Sequence, residues 1–294
     1  MLEQNTARVL CLSLVVLAVT FFGCGPRQNS RSSSQSVGST IAIKGSDTML
    51  HLVKAWTDAY MKAHPDAKIS VTGGGSGTGI AALLNGTTDI CAASRDLSEE
   101  EKTSGASKGL TLNEVTVARD ALSLIVNPKN PIDELTIDQI AQIFTGAVGN
   151  WKDIGGPDET IVVASRESSS GTYMFFQEHV LKKKDYAAGA LLLTATSAIV
   201  QSVADSEGAI GYVGLGYAVD AGGKIKTIGV KTAADAPVVF PSVDTVLNGQ
   251  YSISRPLFLI VSKEPAGTIK DFLDFCVSPE GQKIVEDSGY VKVN

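Results

Sequence analysis

Residues 67–86 read AKISVTGGGSGTGIAALLNG, a β-like run that passes through a glycine-rich stretch at 73–79 into a helix-like run. Without a Cβ, glycine lets the backbone make a tight exposed turn. It also lets unpaired N–H groups at a helix N-terminus converge on a negative group. The stretch lacks the lysine of the G-x-x-x-x-G-K-[ST] pattern, so it gives no support to a nucleotide-binding loop. A strand, a polar loop and a helix in succession is the unit of a helix-covered parallel or mixed sheet.

The unit recurs on either side. Upstream, TIAIK (40–44) leads through GSDTML into a helix with Met49, Leu52, Val53, Trp56, Tyr60 and Ala63 at three- and four-residue spacing. That helix is expected to stop before Pro65, which pushes its predecessor out of the α region. Downstream lies DICAAS (89–94), and later TIVVAS (160–165), RESSSGTY and MFFQEHVLKKK repeat the pattern. LTIDQIAQIFTGAVGNWKDIGG predicts a helix with Ile137, Ile140, Ile143 and Phe144 inward, and SPEGQKIVEDSG one capped by Ser278 with Pro279 at its first position. Two longer apolar segments, VTVARDALSLIVNP (115–128) and YSISRPLFLIVSK (251–263), bracket the middle of the chain like crossover strands. The expected architecture is α/β with two lobes, each a mixed sheet flanked by helices, joined by two crossovers. Lobe one comprises 39–122 plus 254–294, and lobe two 123–253.

Composition sets the outer bounds. A hydrophobic run from Val9 to Phe22, closed by Gly23 and Cys24, has the length of a signal-peptide core and falls short of a bilayer span. Cys24 directly after glycine resembles a bacterial lipoprotein signal (1–24), and the Ser-rich stretch 25–38 suits a tether, so an exported chain anchored through lipidated Cys24 is expected. The remaining length, about 255 residues, is enough for two lobes. A net charge of −6 with no basic stripe argues against nucleic acid. With only His51, His64 and His179, and no closely spaced His/Cys set, a zinc site is not expected and no cofactor is called for. Cys91 and Cys276 lie in apolar runs, as two buried thiols or as one disulfide.

Three hydroxyl-rich loops carry the chemistry: GSDTM (45–49), GSGTG (75–79) and SSGTY (169–173). Each alone suits a helix cap. All three follow strands, however, and ligands in open α/β sheets sit beyond the strands' carboxyl ends, so the loops are expected to face one crevice between the lobes. ASR occurs after a strand in each lobe and supplies two cations, Arg95 and Arg166. An arginine fork matches carboxylate or phosphate oxygens, so the set suits a small tetrahedral oxyanion. Surface pairing is the competing role, Arg95 with Asp96 or the acidic run 99–101 and Arg166 with Glu167. A phosphatase or serine hydrolase built on Ser76, Ser94 or Ser170 would need an adjacent base. None of the three histidines falls in a loop after a strand.

Taken in order, GSDT, GGGSGTG, DICAASR, LTIDQIAQIFTGAVGNWKDIGG, SRESSSGT, AIGYVGLGY and SPEGQKIVEDSGY resemble the phosphate-binding proteins of bacterial phosphate ABC transporters, over nearly the whole mature chain. The resemblance implies a two-lobed periplasmic-binding-protein fold that closes on dehydrated phosphate outside the cytoplasmic membrane. It also implies a non-enzymatic, monomeric receptor that delivers phosphate to the permease subunits of an importer. Carried over by position, it implies donors from Thr48, the Met49 backbone, Ser76, Arg166, Ser170, Gly171 and Thr172, with Ser46, Thr78 and Ser94 in a second tier. Arg95 joins the candidate ligands at a position where many relatives carry an Asp that accepts the proton of hydrogen phosphate and so rejects sulfate. If Arg95 points inward, that filter is absent or moved, with Asp47 and Asp96 as substitute acceptors. Ser168 stands where some relatives place an Asp that orients the arginine. Sulfate or molybdate are the alternative ligands within the same design.

Overall fold

A computed structural model describes residues 40–293; the expected signal, Cys24 and the tether lie outside the described residues. In chain order the elements are β1 (Thr40–Gly45), α1 (Leu50–Ala63), β2 (Lys68–Thr72), α2 (Ser76–Leu84), β3 (Ile90–Ala93), α3 (Glu99–Ser107), β4 (Asn113–Val126), β5 (Glu134–Thr136), α4 (Ile137–Phe144), β6 (Val162–Arg166) and α5 (Gly171–His179). They continue with β7 (Leu191–Leu193), α6 (Thr196–Asp205), β8 (Ala209–Gly214), α7 (Leu215–Ala221), β9 (Lys226–Thr227), β10 (Gly229–Lys231), α8 (Val243–Leu247), β11 (Ser254–Val261), α9 (Gly267–Val277) and α10 (Pro279–Asp287).

The main sheet runs β2-β1-β3-β11-β4-β8-β6-β7, with β9 beside β4, and β5 pairs β10 separately. β1 is parallel to β2 and β3, and β6 to β7 and β8, as strand–helix–strand connections require. The crossovers β4 and β11 are antiparallel to each other. β4 belongs to both halves: it pairs β11 from Asn113 to Ala121 and β8 from Leu122 to Val126, changing partner between adjacent residues. The two lobes therefore share a continuous strand.

Each half has its own apolar packing. In the first, Ile41, Ile43, Trp56, Leu257, Leu259 and Phe272 are buried together, and the Trp56 indole donates to the Gly281 carbonyl at 2.8 Å. In the second, Leu124, Ile140, Ile143, Phe144, Trp151 and Phe176 form the core, with Phe176 stacked on Tyr212 at 4.2 Å between centroids. Such rings bury large area and fix orientation. Cys91 and Cys276 are free and buried.

Local chemistry sets the helix ends. α1 ends at Ala63, as Pro65 dictates, and α10 starts with Ser278 accepting from the Gly281 amide and Pro279 in the first turn. α2 begins at Ser76, four residues before the apolar run: Gly74 and Gly75 take φ of 110° and 90°, so the turn is finished and Ser76 is already helical. α5 stops at His179 although the helix-like run MFFQEHVLKKK continues to Lys184. Val180 and Leu181 turn into the core there, and the Lys183 amide returns to the Gln177 carbonyl at 2.8 Å.

Candidate functional site

The three hydroxyl loops meet. Thr48 follows β1, Ser76 opens α2, Ser94 follows β3, and Ser170, Gly171 and Thr172 open α5 from the second half. The Thr48 and Thr172 Oγ1 atoms are 2.7 Å apart, Thr172 Oγ1 lies 3.4 Å from Ser94 Oγ, and Ser94 Oγ lies 3.3 Å from Ser76 Oγ. The Ser94 amide also donates to Ser76 Oγ at 3.1 Å. All these hydroxyl residues are at most 2 % exposed, so exchange of anything held among them requires the halves to part.

Glycine permits this approach. A Cβ on Gly171 would stand 2.3 Å from Ser76 Oγ and 2.9 Å from Ser94 Oγ, and one on Gly75 would stand 2.5 Å from the Ser169 carbonyl oxygen. Beside it, the Gly77 amide donates to that same carbonyl at 2.9 Å, a backbone hydrogen bond from one half to the other. The helices α2 and α5 thus open toward each other from opposite sides, each bringing the positive end of its dipole. Ser170 caps α5 by accepting from the Tyr173 amide at 3.4 Å.

Arg166, at the end of β6, is 1 % exposed. Its Nε donates to the Leu193 carbonyl at 3.1 Å, Nη1 to Thr196 Oγ1 at 2.8 Å, and Nη2 both to the Thr194 carbonyl and to Asp47 Oδ2 at 2.7 Å. Asp47 is itself held by the Gly74 amide, which donates to Oδ1 at 3.0 Å. Tyr217 donates its hydroxyl to the Asp47 carbonyl at 2.9 Å, and burial, with Asp47 adding to it, pushes that phenol up to about 12. Tyr290 donates to the Thr48 carbonyl. The first loop is therefore gripped from α7 and from the C-terminal end of the chain.

Arg95 is the expected ligand that the structure places elsewhere. Nη1 and Nη2 donate to the two carboxylate oxygens of Glu101 at 2.8 and 2.7 Å, and Nη1 also to the Asp96 carbonyl. The reason lies in α3: Glu101 is the third residue of a capping box with Ser98, which fixes its carboxylate toward Arg95. Burial works against both charges, yet the mutual pairing outweighs it, raising Arg95 and holding Glu101 below the ordinary carboxylate range. Asp96 is exposed. Met49 is buried, but its amide turns to the Ser46 carbonyl at 3.2 Å, and Ser46 is buried in the same turn. Thr78 is half-buried on α2, its methyl near Gly74. A groove of about 720 Å³ opens between α3 and α5, lined by Arg95, Ser98, Met174, Phe175 and His179 among others, and does not include the hydroxyl cluster.

Two charged residues in the cluster lay outside the sequence-based set. Asp120 on β4 is fully buried, and Arg255 on β11 is 3 % exposed. Arg255 Nη2 donates to Asp120 Oδ2 and to Thr172 Oγ1, each at 3.0 Å, and Nη1 to the Ser94 carbonyl at 2.9 Å. Burial pushes the Asp120 carboxyl up, opposed by Arg255 and by the Leu215 amide, which donates to it at 2.9 Å. The signal was present: VARDALSLIV carries Arg119 and Asp120 and SRPLFLIV carries Arg255 within apolar crossovers, and a charge that is buried there is kept only when paired. Chemically, the assembly offers neutral hydroxyls, helix-start amides and arginine in a buried enclosure. No imidazole takes part in the contacts that link these hydroxyls, and among the described residues no group of His, Cys, Asp and Glu could hold a metal ion.

Residues 30–280 match the family model of the PBP superfamily domain. The chain is 34 % identical over 280 residues to a phosphate-binding protein PstS of Staphylococcus epidermidis, covering 93 % of this chain and 85 % of that one. It is 32 % identical over 290 residues to a phosphate-binding protein PstS of Bacillus subtilis, covering 97 % and 92 %. Among solved structures, a Clostridium perfringens substrate-binding protein of the phosphate ABC transporter type, crystallised with bound phosphate, superposes with a TM-score of 0.78 at 35 % identity, covering 87 % of this chain and all of that one.

Proposed function

Because the chain belongs to the PstS family of phosphate-binding proteins within the PBP superfamily, we propose that it captures inorganic phosphate between its lobes and hands it to the permease of an ABC importer. The observation that carries this reading is the buried ring of Thr48, Thr172, Ser94 and Ser76 hydroxyls drawn from both halves and flanked by arginine. Phosphate offers oxygens on every side, and each donor in this ring gains a charge-assisted hydrogen bond by turning to it.

In this reading Thr48, Ser76, Ser94, Ser170 and Thr172 donate hydroxyls, the starts of α2 and α5 donate amides, and Arg166 supplies charge while latching onto Asp47. The lobes are 39–122 with 254–294, and 123–253, and they hinge where β4 changes partner. Closure is selected by the ligand because each half carries only part of the donor set. The receptor works outside the cytoplasmic membrane as a monomer held by lipidated Cys24, and it binds without turnover. Among the described residues no helix is long and apolar enough to cross a membrane, which leaves attachment to the segment before residue 40 in this reading.

Calorimetric titration of residues 39–294 with phosphate, sulfate and molybdate tests it. Tight phosphate binding with sulfate silent is expected. Sulfate or molybdate binding better than phosphate overturns the named ligand, and turnover of a chromogenic phosphoester overturns the binding-only role.

A further inference from the structure

Arg255 and Asp120, both within lobe one, face each other in register where the two crossover strands run side by side. Arg255 nonetheless reaches both lobes: the Ser94 carbonyl after β3, and the Thr172 hydroxyl in α5, with its guanidinium carbon 5.3 Å from the centre of the Phe175 ring. An arginine has five N–H donors. Arg255 commits three of them, to Ser94, Asp120 and Thr172, and its buried Nε has no hydrogen-bond partner. Arg166 commits four, to Leu193, Thr194, Thr196 and Asp47. The less committed cation at the hydroxyl ring is therefore the one on the crossover.

We propose that Arg255, balanced by Asp120, is the specificity-determining charge of the anion site, setting how many negative charges the site accepts. The inference rests on the anion-capture reading above. The buried ion pairs here are Arg166–Asp47 and Arg255–Asp120, a set that sums to zero. Removing the Arg255 charge leaves the set negative, and a doubly charged anion is then repelled about twice as strongly as a singly charged one. Removing the Asp120 charge leaves the set positive and reverses the preference. A residue that only props up the hinge would weaken both forms alike.

The test is calorimetric titration with inorganic phosphate at pH 6 and pH 8, where its singly and doubly charged forms respectively dominate, on wild type, Arg255→Gln, Arg255→Lys, Asp120→Asn and the double variant Arg255→Gln with Asp120→Asn, each with its Tm. Arg255→Gln is expected to lose at least tenfold in affinity at pH 8 and clearly less at pH 6. Asp120→Asn is expected to move the pH 8 to pH 6 affinity ratio the opposite way. Arg255→Lys should keep the wild-type ratio at lower affinity, and the double variant, neutral again, should return the ratio toward wild type. A ratio unchanged across all folded variants overturns the inference and leaves the function intact. A wild type that takes no phosphate overturns both, and a single variant that fails to fold leaves the lysine and double variants to decide.

Discussion

Arg166 Nη2 and Asp47 Oδ2 lie 2.7 Å apart although 119 residues separate them in the chain, and the pair joins the start of one lobe to the strand end of the other. Asp47 is a substitute acceptor named from the sequence, but its two oxygens are already occupied by Arg166 and the Gly74 amide. Arg166→Ala is expected to lower phosphate affinity at least tenfold, about 1.4 kcal/mol. It should also lower Tm, since Asp47 would be left buried without its partner. Titration and thermal unfolding of the same sample check both; unaltered affinity would place the anion elsewhere.

Gly171→Ala tests closure without touching a charge. The new methyl would meet Ser76 Oγ and Ser94 Oγ at 2.3 and 2.9 Å, so the lobes must stand off by a few tenths of an ångström or more. A loss of phosphate affinity beyond tenfold is expected with little change in Tm, because the clash exists only in the closed form. Small-angle scattering with saturating phosphate should show a larger radius of gyration than wild type.

The Glu101 carboxyl, held below its ordinary value of 4.5 by Arg95 despite burial, makes a pH-dependent contribution to stability. A carboxylate whose folded pKa is lowered stabilises above the unfolded value, and the gain is lost as pH falls through the folded one. Glu101→Gln should therefore lower Tm most at neutral pH, with the difference from wild type shrinking through the acid range. Phosphate affinity at neutral pH should stay within about twofold, since Arg95 is bound to Glu101 rather than to the ring. A large affinity loss would return Arg95 to the site.

Burial raises both free thiols, Cys91 and Cys276, so neither supplies thiolate at neutral pH. A chromogenic thiol reagent should titrate neither in the folded domain 39–294 and both in guanidinium chloride. Rapid reaction of one thiol in native buffer would show that α2 or α9 opens readily.

Strand–loop–helix repeats made the two lobes legible in the sequence, because period-2 and period-3.6 patterns report burial directly. The three hydroxyl loops were legible for the same reason: each sits where a strand ends. What remained hidden was partner choice. Arg95 and Arg166 share the string ASR, yet one faces a capping-box glutamate and the other meets Asp47, and only the fold distinguishes them. Arg255 and Asp120 are far apart in sequence and paired across antiparallel strands, a register that local patterns do not encode.

The Gly77 amide and the Ser169 carbonyl meet at 2.9 Å at the rim of the hydroxyl ring, and no side chain stands between them. A free oxyanion seated in the ring leaves that seam intact. For an oxyanion esterified to carbon, a substituent directed at this seam meets a backbone hydrogen bond that joins the two lobes. A phosphomonoester is therefore expected to bind at least tenfold more weakly than free phosphate, which calorimetric titration with each checks.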